Sequence, residues 1–268
     1  MGSAPDSETI VRYALRRRGI RCDPGRHHGT ILPRSRLGRD ALYRLLKRYS
    51  FRLFLRDLIR LRRGAALAEL TRYCSLATAE RFACALQDVG VVHRGRAGNL
   101  VLRDQTVASF GPTLEWFVAE ALQREYGIPT AWNLRPNRTA GGGDYDVIGI
   151  ADGALIYIEV KSSVPRNIEQ NQIGAFVDRV ATLVPDLAIL LNDTQLRMID
   201  KLIPAVRAEL RRRPFGHGRF ERVQGELFSR ADRFFITNST PDLIGNLGVC
   251  LERFFRARSS PSRARLRT

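Results

Sequence analysis

The pair Asp152-Gly153 lies between two apolar runs, Tyr145 to Ala151 and Ala154 to Val160. Asp-Gly in that setting is a strong signal for a two-residue β-hairpin loop. Such a loop sets Ala151 opposite Ala154 and fixes every later pair. Asp146 then faces Glu159, and Asp144 faces Lys161. Side chains alternate along strands, so all four are expected on one face. Directly opposed Cβ atoms lie about 4.5–5.5 Å apart, where like charges repel. Two carboxylates so placed need a cation or a shared proton between them.

The second run, Leu155-Ile156-Tyr157-Ile158, is apolar on both faces, as in an interior strand. Glu159 and Lys161 therefore fall at the end of a buried element. A charge is costly there unless it is paired or bound to metal. Mg²⁺ suits the pattern, because it takes carboxylate oxygens while keeping waters and contacting phosphate. The alternative is a plain Glu-Lys ion pair on a polar strand face. Lysine usage bears on the choice, since only Lys47, Lys161 and Lys201 among 44 Lys and Arg residues are lysine. An ammonium is compact and can lose its proton, whereas guanidinium stays charged. A lysine at 161 thus reads as a chemical requirement.

An acidic residue, a hairpin and Glu-x-Lys closing the second strand resemble the PD-(D/E)XK nuclease superfamily. That superfamily includes restriction endonucleases and archaeal Holliday-junction resolvases. The nearest variety is the nuclease half of CRISPR-associated effectors activated by cyclic oligoadenylates. Leu114-Glu115, Tyr145-Asp146-Val147 and Ile158-Glu159-Val160-Lys161 stand in the order those effectors show. The resemblance covers roughly residues 110–240. It implies an α/β fold, a restriction-endonuclease-like mixed sheet flanked by helices, and a metal-dependent nuclease. Carried over by position, Asp146, Glu159 and the Val160 carbonyl would hold Mg²⁺ or Mn²⁺. Lys161 would orient or activate the attacking water and stabilise charge on the phosphorane. Glu115 would be an outer or second-metal ligand, unless it is a solvated surface residue. Gln172 shares a helical face with Ile168, Ala175 and Phe176, and is either an auxiliary group or a surface glutamine. Asp144 would replace Asp146 if the hairpin loop were longer. Residues 1–105 do not look like a nucleotide-sensing Rossmann domain, so activation by a cyclic nucleotide is not implied.

Periodicity predicts the surrounding elements. Helices are expected over about 113–126, 170–183, 195–211 and 241–255, with strands over 146–150, 154–161, 186–191 and 234–237. Further upstream, a helix capped by Ser7-Glu8-Thr9 runs to about Arg18, the stretch from Cys22 to Pro33 reads as a loop, and 37–61 is helical with a break near Tyr49-Ser50. Next come a short helix over 65–73, a turn, a helix begun by Thr78, and a strand, basic turn and strand over 91–102. That succession, over about 50–105, resembles a winged helix-turn-helix domain. It would place Thr78, Arg81 and Gln87 on the recognition helix, with Arg94 and Arg96 on the wing.

The net charge of +17 is uneven along the chain. Residues 1–105 hold 22 Lys/Arg against 9 Asp/Glu, residues 106–255 hold 17 against 18, and 256–268 carry five arginines and no acid. Clustered arginine points to nucleic acid, because phosphate contacts release condensed counterions. The expected organisation is a basic helical region over 1–105, a nuclease domain over 106–255 and a disordered arginine-rich tail. The expected partner is DNA, with RNA not excluded, and a homodimer is one option for assembly. No apolar run reaches the roughly 18 residues of a membrane span, and the start lacks a secretory signal. The four cysteines are scattered without a CxxC pair, so a cytoplasmic protein with reduced thiols is expected. Antiviral defence or DNA processing is the expected setting. A DNA-binding regulator with a vestigial nuclease fold is the alternative from another class.

Overall fold

The computed structural model describes residues 5–25, 27–61, 64–95, 98–137, 143–213 and 218–259. The chain divides into two compact units, Met1–Gly25 with Ala121–Thr268, and Arg26–Glu120. The expected boundary near 105 therefore needs correcting at both ends. Helix α1 (Ser7–Arg17) is capped by Asp6, whose carboxylate accepts from Thr9 N at 2.7 Å. Its Val11 and Leu15 are fully buried in the core of the sheet unit. The stretch after it, read as a loop, begins with strand β1 (Cys22–Asp23), which pairs antiparallel with β4 (Thr130–Pro136). Arg18 adds an ion pair to Asp186 at 2.7 Å.

In the second unit, α2 (Arg36–Leu46) and α3 (Tyr49–Arg60) break at Lys47-Arg48. A 3-10 turn over Leu67–Leu70 stands where a longer helix was expected. Helix α4 (Leu76–Asp88) is capped by Ser75 rather than Thr78, the serine oxygen accepting from Thr78 N at 3.3 Å. Gly90 follows with φ +73°, a left-handed turn that suits glycine. Strands β2 (Val92–Arg94) and β3 (Leu100–Leu102) form an antiparallel hairpin. Ala65 bridges Leu100, so a third segment joins its edge. Phe51, Phe54 and Phe82 hold the helices together, with Phe82 5.0 Å and 5.5 Å from the other two rings. Arg96 lies outside the described residues.

Helix α5 (Gly111–Tyr126) runs across the division. The sheet unit continues with β5 (Tyr145–Ala151), β6 (Ala154–Lys161), α6 (Gln170–Leu183), β7 (Leu187–Asn192) and α7 (Leu202–Arg211). It closes with β8 (Glu221–Gln224), β9 (Leu227–Arg230), β10 (Phe234–Asn238) and α8 (Leu243–Ser259). The eight strands run in the order β1-β4-β5-β6-β7-β10-β9-β8. Strands β4, β5 and β6 form an antiparallel meander, and β6, β7 and β10 are mutually parallel. The architecture is thus α/β, a large mixed sheet flanked by helices. Asp152 (φ 48°) and Gly153 (φ 73°) both take positive φ, as a type I′ turn requires. Their hairpin has the expected register, from Ala151↔Ala154 to Val147↔Ile158.

Several further elements differ from expectation. Helix α7 begins at Leu202, not near 195, and strands β4, β8 and β9 were not anticipated. Helix α8 continues to Ser259, so the first four residues of the expected tail are helical, while 260–268 lie outside the described residues. Across one face of the sheet, Ile173, Phe176 and Val177 of α6 and Leu202, Ile203 and Val206 of α7 bury against Tyr157, Leu190 and Ile236. Among the described residues no helix is long and apolar enough to cross a membrane.

Candidate active site

The apolar run of β6 carries its polar groups in one row. Tyr157, Glu159 and Lys161 alternate onto a single face, and Glu159 is fully buried. Both Glu159 oxygens are occupied. Lys161 Nζ donates to Oε1 at 2.8 Å, and Arg179 Nη2 donates to the same oxygen at 2.6 Å. The Tyr157 hydroxyl donates to Oε2 and accepts from Arg179 Nε at 2.8 Å. Arg179 thus closes a ring through tyrosine and glutamate, its own side chain 9% exposed. Gly143 makes room for it: at φ +86° the chain passes so close that a Cβ would stand 2.9 Å from Arg179 Nη1.

Asp146 reaches the cluster differently from the expected cross-strand pair. The β5–β6 ladder ends at Val147↔Ile158. Beyond it the Asp146 carboxylate takes over as acceptor, receiving the Val160 N–H at 2.7 Å. Facing alternation is broken here, since the Tyr145 and Tyr157 rings touch at 5.6 Å. Asn133 on the neighbouring strand β4 has φ 52° at the point where pairing to β5 skips a residue. The four acidic and basic groups therefore do not share one face. Asp144 turns to β4, where Arg135 Nε donates to it at 2.9 Å.

The charges follow from these contacts. Burial pushes the Glu159 carboxyl up, but the Lys161 ammonium and Arg179 guanidinium outweigh it and hold its pKa below the ordinary value. Burial likewise works against the Lys161 ammonium, and the Glu159 and Asp146 carboxylates raise its pKa above the ordinary value. Burial, then Glu159 and Asp146, push Tyr157 well above the usual phenol range. Burial raises Tyr145 to about 12. Lys161 is therefore a standing cation in this state.

The counter-charge argument is corrected. The cation that Glu159 needs is supplied by the protein itself, through Lys161 and Arg179. Among the described residues no three His, Cys, Asp or Glu side chains gather as a metal site. The donor set still suits Mg²⁺ or Mn²⁺, which are content with one or two carboxylates and several waters. Asp146 and Glu159 are hard oxygen donors meeting at one end of β5 and β6, and Lys161 is 21% exposed beside them.

Other anticipated residues lie elsewhere. Gln172 is exposed, and its amide oxygen accepts from Glu169 N at 3.2 Å in the capping box of α6. Glu115 is half-buried on the part of α5 that belongs to unit Arg26–Glu120. Arg81 is exposed on α4 and donates to Thr78 Oγ1 at 3.1 Å, while Arg94 pairs with Glu80 at 2.6 Å. Arg179 and Tyr157 were missed. A signal existed for Arg179: it stands three residues after Phe176 and four before Leu183, inside the apolar stripe of its helix. An arginine there requires a buried acceptor.

No protein-family model matches the chain, and no curated protein is similar to it in sequence. Its fold is similar to that of protein VC1899 from Vibrio cholerae, at TM-score 0.54 and 17% identity, over 92% of this chain and 61% of that one. Can2 from Sulfobacillus thermosulfidooxidans, solved in complex with cyclic tetra-adenylate, aligns at TM-score 0.49 and 13% identity, over 91% and 60%. The chain spans about three fifths of the length of each. At 17% identity the likeness to VC1899 concerns fold alone.

Proposed function

We propose that the chain is a metal-dependent nuclease of the PD-(D/E)XK type, hydrolysing phosphodiester bonds in DNA. One observation carries this reading. Asp146, Glu159 and Lys161, from two strands, come together where β5 begins and β6 ends, after α5, in the order of motifs on which the resemblance rests. Asp146 and Glu159, with the Val160 carbonyl, would hold Mg²⁺ or Mn²⁺. When bound, the ion supplies Lewis-acid stabilisation of phosphate charge and a more acidic water. Lys161 would orient or activate the attacking water and stabilise the developing phosphorane charge. Arg179 and Tyr157 hold the Glu159 carboxylate in one orientation.

Residues of about 50–105, within unit Arg26–Glu120, are read as a winged-helix-like DNA-binding module. The order α4, β2, β3 supports it, and so does the Ala65–Leu100 bridge, which adds a third segment to the hairpin. Defence against foreign DNA or processing of DNA ends is the setting we propose. A second reading has its own support: the cluster is charge-balanced, two carboxylates against Lys161 and Arg179, as a structural ion-pair network in a non-catalytic DNA-binding protein would be. The deciding experiment incubates the protein with single- and double-stranded DNA and RNA in Mg²⁺, Mn²⁺ or EDTA. Cleavage that needs the ion, and that Asp146→Asn and Glu159→Gln abolish while both variants stay folded, is the expected result. Full activity in either variant removes the site assignment, and RNA as the preferred substrate corrects the substrate class.

A further inference from the structure

Strands β6, β7 and β10 are parallel and end side by side, with Lys161 in register with Asn192 and Asn192 with Asn238. Residues in register on parallel neighbours share a face. That face carries Glu159, because Leu190 and Ile236, two residues earlier, pack in the same core as Tyr157. Asp193 N donates to Lys161 O at 2.7 Å and ties the end of β7 to that of β6. The side chains of Ser239 and Asn238 are satisfied within the protein, whereas Thr240 Oγ1 and Asn246 Oδ1 are buried without a partner among the described residues. Ser239 Oγ donates to Asp193 Oδ1 at 2.6 Å, and Asn238 Nδ2 donates to Leu196 O at 3.1 Å while its Oδ1 accepts from Thr240 N at 2.9 Å.

Asn192 is different. Its side chain is fully buried, yet among the described residues neither Nδ2 nor Oδ1 has a hydrogen-bond partner. Native proteins keep few such groups, and each one calls for an explanation. Leu190 occupies the preceding inward position of β7, so another aliphatic residue at 192 would simply continue the apolar stripe. Lys161 lies one strand away, and among the described residues its ammonium uses one of three donors, on Glu159 Oε1.

We propose that Asn192 is a positioning residue for Lys161: its Oδ1 is a second acceptor for the ammonium and keeps it in place when Glu159 is engaged by a divalent ion. The proposal rests on the nuclease reading and adds to it. A lysine held only by the carboxylate that must also serve the ion would be released at the moment its charge is needed. With Asn192 it has another acceptor at the end of the next strand. A fully buried amide is suited to this task, since water does not compete for its oxygen.

Two near-isosteric variants separate the possibilities. Asn192→Asp keeps the acceptor oxygen, and Asn192→Leu removes it. Expected is a kcat lowered roughly tenfold or more in Asn192→Leu, the scale of one hydrogen bond to a charged group, with KM and melting temperature unchanged or the latter raised. Asn192→Asp should stay within about threefold of wild type on the same scale. A second readout needs no turnover. With three lysines in the chain, labelling of Lys161 by an amine-reactive ester can be followed by mass spectrometry in Ca²⁺ and in EDTA. Asn192→Leu should speed Lys161 labelling in Ca²⁺ relative to wild type, and Asn192→Asp should slow it, which remains readable should the leucine variant fail to fold. Equal cleavage and labelling in wild type and Asn192→Leu, or equal loss in both variants, overturns the role. Failure of the underlying reading looks different: wild type itself cleaves nothing, and Ca²⁺ leaves its Lys161 labelling as in EDTA, which overturns both.

Discussion

Burial disfavours a charged Glu159, and the Lys161 and Arg179 cations reverse that preference. Replacing Arg179 by methionine leaves a buried carboxylate short of one partner, an error that costs about 3–5 kcal/mol. Urea unfolding should show a loss of that size for Arg179→Met. The double variant with Glu159→Gln should lose clearly less than the sum of the single ones, and strict additivity would show that the pair is not coupled. The pH dependence follows from the directions of shift. Glu159 titrates below its ordinary value when folded, so its contribution is complete above the glutamate range and is lost as pH falls through the lowered value. Lys161 titrates above its ordinary value, so its contribution is complete below the lysine range and is lost as pH rises through the raised one. The stability difference between wild type and Glu159→Gln should therefore be level from about pH 5 to 10. A difference that already fades at pH 6 would contradict the lowered carboxyl. Lys161→Arg makes the sharpest comparison. Charge is retained, so a purely structural cation would tolerate it, whereas a planar guanidinium misplaces the reacting water. Cleavage should fall on the order of a hundredfold with little change in melting temperature; near-wild-type cleavage would sink the electrostatic role.

What the residues declared openly were elements whose local chemistry and packing agree. The start of β6 and the end of α6 were readable because a hairpin turn with obligatory positive φ, and an apolar stripe stopped ahead of Pro185, leave little choice. Strand β4 was hidden because Asn133 breaks its alternation, and β8 because an exposed edge strand carries Glu221, Arg222 and Gln224 instead of apolar residues. The cluster was half legible. Pattern gave Asp146, Glu159 and Lys161, but Arg179 and Asn192 become neighbours of Lys161 only through the packing of α6 and the order of strands. Helix α1 shows the same limit, since its amphipathic face did not say which unit it covers. Leu15 is fully buried in the sheet core, so Leu15→Ala should cost about 2–5 kcal/mol. If α1 were only an appendage, the urea midpoint would hardly move.

Charge looks different at the scale of the whole molecule. Unit Arg26–Glu120 holds 17 Lys/Arg against 8 Asp/Glu, and the other unit holds 27 against 19. The cationic excess is therefore shared between the units, not confined to the first hundred residues. Position then matters more than net charge, because only cations that meet phosphate release counterions. Arg81 is exposed on α4, whereas Arg94 already has Glu80 as a partner at 2.6 Å. If α4 and the hairpin meet DNA, Arg81→Gln should reduce the slope of log affinity against log salt by about 0.9, one phosphate's worth. Arg94→Gln should reduce it by less, because binding must first displace Glu80 from the arginine. Glu80→Gln should tighten binding, since it frees Arg94 and removes a carboxylate from the approach of phosphate. Salt titrations of a labelled duplex with the three variants would show this ranking. Slopes and affinities identical to wild type in all three would mean that DNA, if it binds, is held by other arginines of the molecule.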